Sequence, residues 1–172
     1  YNDRRREVEE GLVIIKNHFP EVTSFRNCTE KMVLDLKAEL GEIRFKRCHF
    51  VVNEIQRVHE AVKALEQANF RSLGKLMSLT HKGLSEDYEV SCDELDFLVR
   101  TAQFEKSVLG ARMMGGGFGG CSINLVKKGS ENELIDKIAS LYKNEFNIEL
   151  KAYKIKIAKG TTQYKKHHAK VQ

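Results

Sequence analysis

The sequence predicts an α+β fold in which a helical first part packs with a small antiparallel sheet. Three observations indicate this fold. Apolar residues recur at steps of three and four through most of residues 1–90, which is the spacing of amphipathic helices. Two short apolar runs at 111–114 and 121–126 flank a glycine cluster, and residues 150–158 alternate apolar side chains with lysines. The second part of the chain therefore predicts the order α-β-β-α-β.

The helical part is divided by recognisable helix ends. Residues 3–19 form the first predicted helix, which Pro20 closes. Thr29 is placed to cap a second helix. A third helix, over about 43–69, has an apolar stripe that we interpret as core contacts between packed helices, and a fourth covers 70–84. The stripe consists of Cys48, Val51, Ile55, Val58, Val62 and Leu65.

The second part of the chain begins with an acidic stretch. Ser91 and Glu94 have the spacing of a capping box, which predicts a helix over 92–106. Residues 131–146 have the pattern of another amphipathic helix. No interior segment is rich enough in Pro, Gly or Ser to mark a domain boundary, so we predict one domain. Its parts are a mainly helical portion at 1–90, the α-β-β-α-β portion at 91–160 and a basic tail at 161–172.

Composition argues against several classes of function. The 172 residues contain no apolar run near the roughly 20 residues that span a bilayer, and no signal-peptide pattern. We therefore expect no membrane partner and a cytoplasmic location. The four cysteines form no CxxC pair, and the six histidines lack the spacing of metal ligands, so we predict no metal site.

The net charge of +5 comes from one end of the chain. Residues 151–172 contain seven lysines and no acid, so residues 1–150 carry a net charge of −2. Few aromatic residues are interleaved with these lysines, whereas surfaces that bind single-stranded nucleic acid combine positive charge with stacking platforms. We therefore expect no nucleic-acid partner.

The glycine cluster is the feature that most needs an explanation. Five of the six residues at 115–120 are glycine, and Phe118 is the exception. Gly115, Gly117 and Gly120 match G-x-G-x-x-G, but a dinucleotide site needs a helix after the loop and here a predicted strand follows. The P-loop pattern fails as well, because no Gly-Lys-Ser/Thr is present at the required position.

Three explanations for the glycines remain: a tight turn, a close-packed crossing and a phosphate-binding loop. A two-residue hairpin turn needs only one or two glycines, fewer than the five found here. Successive backbone N–H groups without Cβ atoms can turn inward and form a nest that binds an anion. The number of glycines therefore favours a ligand next to the loop.

The segment GARMMGGGFGGC at 110–121 resembles the third motif of galactokinases. These enzymes belong to the superfamily named for galactokinase, homoserine kinase, mevalonate kinase and phosphomevalonate kinase. YNDRR at 1–5 resembles the Y-N-x-R-R of the same family. ALEQANFRSLGKLMSLTH at 64–81 and DYEVSCDELD at 87–96 resemble the stretch between these motifs. The matches follow the family's order over nearly the whole chain.

The resemblance implies a ferredoxin-like C-terminal domain of a galactokinase. The whole enzyme would use ATP with Mg²⁺ to phosphorylate the anomeric hydroxyl of D-galactose. In the family, an N-terminal catalytic domain carries the first two motifs and the catalytic Asp and Arg, and neither motif occurs in this sequence. We therefore expect no catalytic residue in this chain, no cofactor bound by it alone, no activity of the fragment, and the missing N-terminal domain as its partner.

The resemblance also assigns roles to individual residues. Tyr1 matches a tyrosine that contacts the sugar. The glycine loop is expected to pack against the nucleotide and sugar between the two domains, and it consists of Met114, Gly115, Gly116, Gly117, Phe118, Gly119 and Gly120. Met114 departs from the threonine that is usual in the family, which removes a hydroxyl beside the loop.

Arg4 and Arg5 lie at a helix start, where cations oppose the helix dipole, and we interpret them as partners of nearby glutamates rather than as ligand contacts.

Two functions compete with galactokinase. One is a kinase of the same superfamily that acts on N-acetylgalactosamine or a related sugar, against which Phe118 argues mildly. The other is a non-catalytic galactose-sensing regulator, for which Met114 is the only support.

Overall fold

The structure is a computed structural model and describes residues 1–158 and 160. Besides one short 3₁₀ helix at Phe25–Asn27, six α-helices and two strands are formed in this part of the chain. They are α1 (Asn2–His18), α2 (Glu30–Asp35), α3 (Lys37–Glu66), α4 (Phe70–Glu86), α5 (Asp93–Gln103), β1 (Val108–Met114), β2 (Cys121–Val126) and α6 (Glu131–Phe146). The basic tail expected at 161–172 lies outside the described residues.

The helical half has its own apolar core. Helix α1 packs along the first half of α3, and α2 lies beside them. Thr29 caps α2 as expected, since its hydroxyl accepts a hydrogen bond from the Met32 N–H at 3.3 Å. A left-handed residue, Gly41 (φ +70°), interrupts α3 after its first turn. The core includes Ile15, Val22, Val33, Leu40, Cys48 and Val52.

The apolar stripe predicted on the third helix is only partly buried. Cys48 lies in the core, but Val58, Val62 and Leu65 are about half exposed, so their interpretation as core contacts is wrong. Helix α3 has 30 residues and continues well beyond α1, which has 17 residues and covers only the first half of α3. A different face of α3 meets α4, where the Phe50 ring packs on Gly83.

The second half of the chain confirms the α+β class. Strands β1 and β2 pair antiparallel from Met114↔Cys121 to Val108↔Val126. Helices α5 and α6 pack together on one face of this ribbon. The core between them and the strands contains Leu98, Val99, Ala102, Ala111, Leu134, Ile138 and Tyr142. The glycine cluster therefore connects two strands, as the sequence predicted.

Helix α4 covers the outer edge of β1 and joins the two halves. Its closest approach is at Gly74, where a Cβ atom would lie 1.8 Å from the Leu109 carbonyl oxygen. Further along α4, His81 accepts a hydrogen bond from the Met113 N–H at 3.3 Å. An open strand edge exposes unpaired backbone groups, and these contacts protect the edge of β1.

The third predicted strand is not formed. Residues 150–158 have an irregular conformation, so the order of the second part is α-β-β-α within the described chain. Leu150 packs on the core beside α6, but Tyr153, Ile155 and Ile157 are exposed. An alternating pattern forms a strand only where a neighbouring strand supplies hydrogen bonds and one face is covered, and both are lacking for these side chains here.

The capping box predicted at Ser91 is also wrong, although the helix itself is present. Helix α5 begins one residue later, with Cys92 at the N-cap and no side-chain cap bond. The Ser91 hydroxyl instead donates to the carboxylate of Asp96. A second serine, Ser85 of α4, donates to the other oxygen of Asp96 at 2.8 Å and ties α4 to α5.

Candidate functional site

The glycine loop at 115–120 has a backbone that few other residues could adopt. Every residue of the loop except Gly116 has φ in the positive region. The values are +91° at Gly115, +83° at Gly117, +58° at Phe118, +125° at Gly119 and +105° at Gly120. Glycine reaches this region without the steric penalty of a Cβ atom, so the tight-turn explanation accounts for most of the cluster.

The glycine at position 117 is also explained by a close crossing of the loop over Val90. A Cβ atom at this position would lie 2.0 Å from the carbonyl oxygen of Val90 and 2.8 Å from its Cβ. The same carbonyl accepts a hydrogen bond from the Phe118 N–H at 2.7 Å. The loop is therefore anchored on the turn that follows α4.

Neither a positive φ nor a close crossing explains the glycine at position 116. Its φ is not positive, and a Cβ atom there would meet only the ring of Tyr1, at an ordinary contact distance of 3.8 Å. The predicted sugar-contacting residue thus lies against the predicted loop, although 115 positions separate them in the sequence. At Gly115 and Gly119 an added Cβ would meet no atom within 4 Å.

The structure brings the predicted site residues together on one open surface. We call Tyr1, Met114 and residues 115–120 the loop face. Tyr1, Met114 and Phe118 are all exposed, so large apolar side chains border the bare backbone of the glycines. The loop face as defined contains no carboxylate, lysine or arginine, and so offers contact surface and backbone donors rather than an acid or a base.

A charged cluster that sequence reasoning missed lies beside the loop face. Arg47 of α3 is only 2% exposed and is paired with Glu7 of α1 and Glu89 of the turn before α5. Arg4 contacts the same two glutamates. No clear signal in the sequence pointed to it, because Arg47 follows Lys46 in a stretch where basic and apolar residues are mixed.

The paired interpretation of the first arginines is confirmed. Arg4 lies 3.2 Å from Glu7, and Arg5 lies 2.8 Å from Glu9. Both pairs have the helical spacing that brings side chains together on α1. The hydrogen bond and charge of Glu9 raise the pKa of Arg5. These contacts occupy the guanidinium groups within the chain.

His81 anchors the strand that leads into the loop. Its Nδ1 accepts from the Met113 N–H at 3.3 Å, and its Nε2 lies 3.2 Å from Asp96 Oδ1. Burial lowers the pKa of His81 and outweighs the charge of Asp96, which acts in the opposite direction. Protonation of Nδ1 would remove the acceptor for the Met113 N–H.

We expect this histidine to make the fold sensitive to mild acid. Because its pKa in the folded chain lies below the ordinary 6.5, the unfolded chain takes up the proton first as the pH falls. Stability is complete above pH 6.5 and is lost as the pH falls toward the folded-state pKa, by at most about 1.4 kcal/mol per pH unit. Urea unfolding of His81→Gln between neutral pH and about pH 5 should show a shallower pH dependence than the unaltered protein. His59→Gln, at an exposed position, is the matched control for the loss of one histidine.

The described residues offer neither a metal site nor a helix that could span a membrane. Within residues 1–158 and 160, no group of three or more His, Cys, Asp and Glu side chains is arranged to hold a metal ion. In the same part of the chain, every helix is too short or too polar to cross a bilayer.

Comparison with known proteins places this geometry in a family. A family profile described as GHMP kinases C terminal matches residues 61–144. A galactokinase of Thermotoga neapolitana is 40% identical over 160 residues, which are 93% of this chain and 43% of that protein. A galactokinase of Clostridium perfringens is 35% identical over 167 residues, 95% of this chain and 42% of that protein. The chain thus spans less than half the length of these curated relatives.

Structural likeness agrees with the sequence matches. The crystal structure of Lactococcus lactis galactokinase complexed with galactose superposes with a TM-score of 0.81 and 33% sequence identity. The match covers 87% of this chain and 38% of that one. On these grounds the chain contains a GHMP kinase C-terminal domain and is a homologue of galactokinases.

Proposed function

We propose that the chain is the C-terminal part of a galactokinase and that the loop face forms one wall of its active site. The enzyme would transfer the γ-phosphoryl group of ATP to the anomeric hydroxyl of D-galactose. The observation that carries the proposal is the nearness of the Tyr1 ring to Gly116, 3.8 Å from where a Cβ atom would lie, which brings two distant motifs onto one exposed surface. The likeness to galactokinases, one of them complexed with galactose, supports the choice of substrate.

The loop face would bind by its backbone and its apolar rim. Apart from the Phe118 N–H, which donates to Val90, the backbone N–H groups of the loop can face an anion. The open space beside Gly115 and Gly119 leaves room for phosphate oxygens. Phosphoryl transfer depends mainly on positioning and on charge stabilisation. In our proposal the loop face positions the nucleotide and the sugar, and Tyr1 contacts the sugar.

The charged groups of the reaction would come from elsewhere in the protein. The catalytic Asp and Arg and the ligands of Mg²⁺ belong, in this proposal, to an N-terminal domain outside this chain. The described residues show no cluster suited to a metal ion, and no step in our account passes through one. A cytoplasmic location is part of the same proposal and depends on the family resemblance.

A sugar panel on the full-length protein tests the proposal. Production of ADP should depend on D-galactose and should exceed that with N-acetylgalactosamine or glucose. Turnover with N-acetylgalactosamine instead would overturn the sugar assignment. Galactose binding without ADP production would favour a sensing regulator, the reading to which Met114 gave its only support.

The isolated chain is expected to produce no ADP under the same conditions, because the loop face has no charged side chain to activate the hydroxyl or neutralise the phosphates. Galactose-dependent ADP production by purified residues 1–172 would show that this chain carries its own catalytic groups. The full-length protein at equal concentration is the matched positive control.

A further inference from the structure

Arg47 is a buried cation whose side chain reaches two other elements of the fold. From α3, its Nε donates to Glu7 Oε2 of α1 at 2.8 Å, and its Nη2 donates to Glu89 Oε2 at 2.7 Å. Its Nη1 donates to the backbone carbonyl of Asp87. A guanidinium presents its donors in a planar fork that a lysine ammonium cannot copy. Burial opposes the charge, but the hydrogen bonds to Glu89 and Glu7 outweigh it and raise the pKa of Arg47.

Arg4 completes a network of two cations and two anions. Its Nη1 lies 3.2 Å from both carboxylate oxygens of Glu7. Its Nε donates to the Glu89 carbonyl oxygen at 3.3 Å, and its Nη2 lies 3.4 Å from Glu89 Oε2. We call Arg4, Glu7, Arg47 and Glu89 the arginine network. Since Arg4 lies one helical turn after Tyr1, the network fixes the start of α1 to the segment 87–90.

The segment 87–90 is the support of the glycine loop. Glu89 has a left-handed backbone (φ +51°), which a glutamate adopts only when its surroundings hold it there. Hydrogen bonds from Arg47, above all, keep the pKa of Glu89 below its ordinary value, so its carboxylate stays charged in the network. The next residue, Val90, is buried, lies under Gly117 and accepts the Phe118 N–H.

We propose that Arg47 is a positioning residue that sets the distance between Tyr1 and the glycine loop. One path of contacts runs from Arg47 through Glu89 and Val90 to the loop, and the other runs through Glu7 and Arg4 to the start of α1. The role in catalysis rests on the proposed function of the loop face. The role in positioning the loop stands on the contacts alone.

The test uses Arg47→Met in the full-length protein, with hydrogen exchange measured on peptides that contain residues 115–121. Removing one partner of a buried ion pair is destabilising, but Glu7 and Glu89 are both partly exposed and keep Arg4 as a partner, so the fold should survive. We expect the loop peptide to exchange roughly tenfold faster while peptides of α6 are unchanged. Arg47→Lys keeps the charge but loses the fork, and should give a smaller increase in the same peptide.

Arg44→Met is the matched control. Arg44 lies one turn earlier on α3 and pairs with Glu10 of α1 at 3.2 Å, near the surface and away from segment 87–90. Loop exchange in this variant should equal that of the unaltered protein. In the same proteins, kcat/KM for galactose should fall by roughly tenfold or more in Arg47→Met and by less than about twofold in Arg44→Met.

The outcomes separate this inference from the proposed function. Faster loop exchange in a protein that never phosphorylates galactose would support the positioning role and remove only the catalytic one. Unchanged loop exchange in Arg47→Met would overturn the inference, whatever the activity. If Arg47→Met exposes α6 as well, then Glu89→Gln decides, because Glu89 is half-exposed and its amide keeps the side-chain shape. Loop exchange unchanged in Glu89→Gln would overturn the inference too.

Discussion

Replacing Gly117 with alanine is expected to destabilise the fold more than any other change within the glycine loop. The positive φ of +83° costs an alanine about 1–2 kcal/mol. The new Cβ would also lie 2.0 Å from the Val90 carbonyl oxygen, and such overpacking costs about 1–3 kcal/mol more. The sum of about 2–5 kcal/mol should lower Tm by roughly 5–15 °C in a chain of this size.

Gly115→Ala is the control for this prediction. Gly115 has a similar φ of +91°, but a Cβ atom there meets nothing within 4 Å. Thermal unfolding of this variant should therefore show the backbone strain alone, about 1–2 kcal/mol. Equal Tm values for Gly115→Ala and Gly117→Ala would mean that the loop does not rest on Val90.

Local patterns predicted most of the secondary structure because local chemistry determines it. Helix α6 has the predicted bounds, since its apolar period, its acidic first turn and the left-handed Asn147 at its end agree with one another. The strand–loop–strand arrangement around the glycines was also predictable. The two apolar runs are too short for helices, and the glycines between them break any regular element.

Partners distant in the chain explain what the sequence did not reveal. Residues 150–158 have the alternation of a strand, but alternation does not state whether a neighbouring strand is present to pair with them. The exposed end of the stripe on α3, at Val62, depends in the same way on how far α1 extends beside it. Arg47 reads as an ordinary helix residue until Glu7 and Glu89, 40 and 42 positions away, are placed beside it.

In the candidate site, too, local features were predictable from the sequence and contacts between distant residues were not. The five glycines of the loop predicted an unusual backbone, and the positive φ values account for four of them. That Tyr1 lies against Gly116 could come only from the family resemblance or from the structure, because no local pattern links the two ends of the chain. Gly116 is therefore the glycine whose identity the fold of this chain leaves unexplained.

Gly116→Ala in the full-length protein is expected to abolish most activity while the fold is kept. The φ at this position is not positive, so alanine would meet no left-handed strain, and the methyl group would touch the Tyr1 ring at an ordinary distance of 3.8 Å. The fold of this chain therefore tolerates the substitution. In our account, the nucleotide or sugar approaches the bare backbone here, and a methyl group would hold it away from the reactive geometry.

The steady-state kinetics of Gly116→Ala, paired with its thermal unfolding, test the central claim that the loop face is a wall of the active site. We predict that kcat/KM for galactose falls by roughly tenfold to a hundredfold, equivalent to about 1.4–2.7 kcal/mol of transition-state stabilisation, with Tm unchanged. An unchanged kcat/KM at an unchanged Tm would contradict the claim and leave the glycine loop as a structural turn.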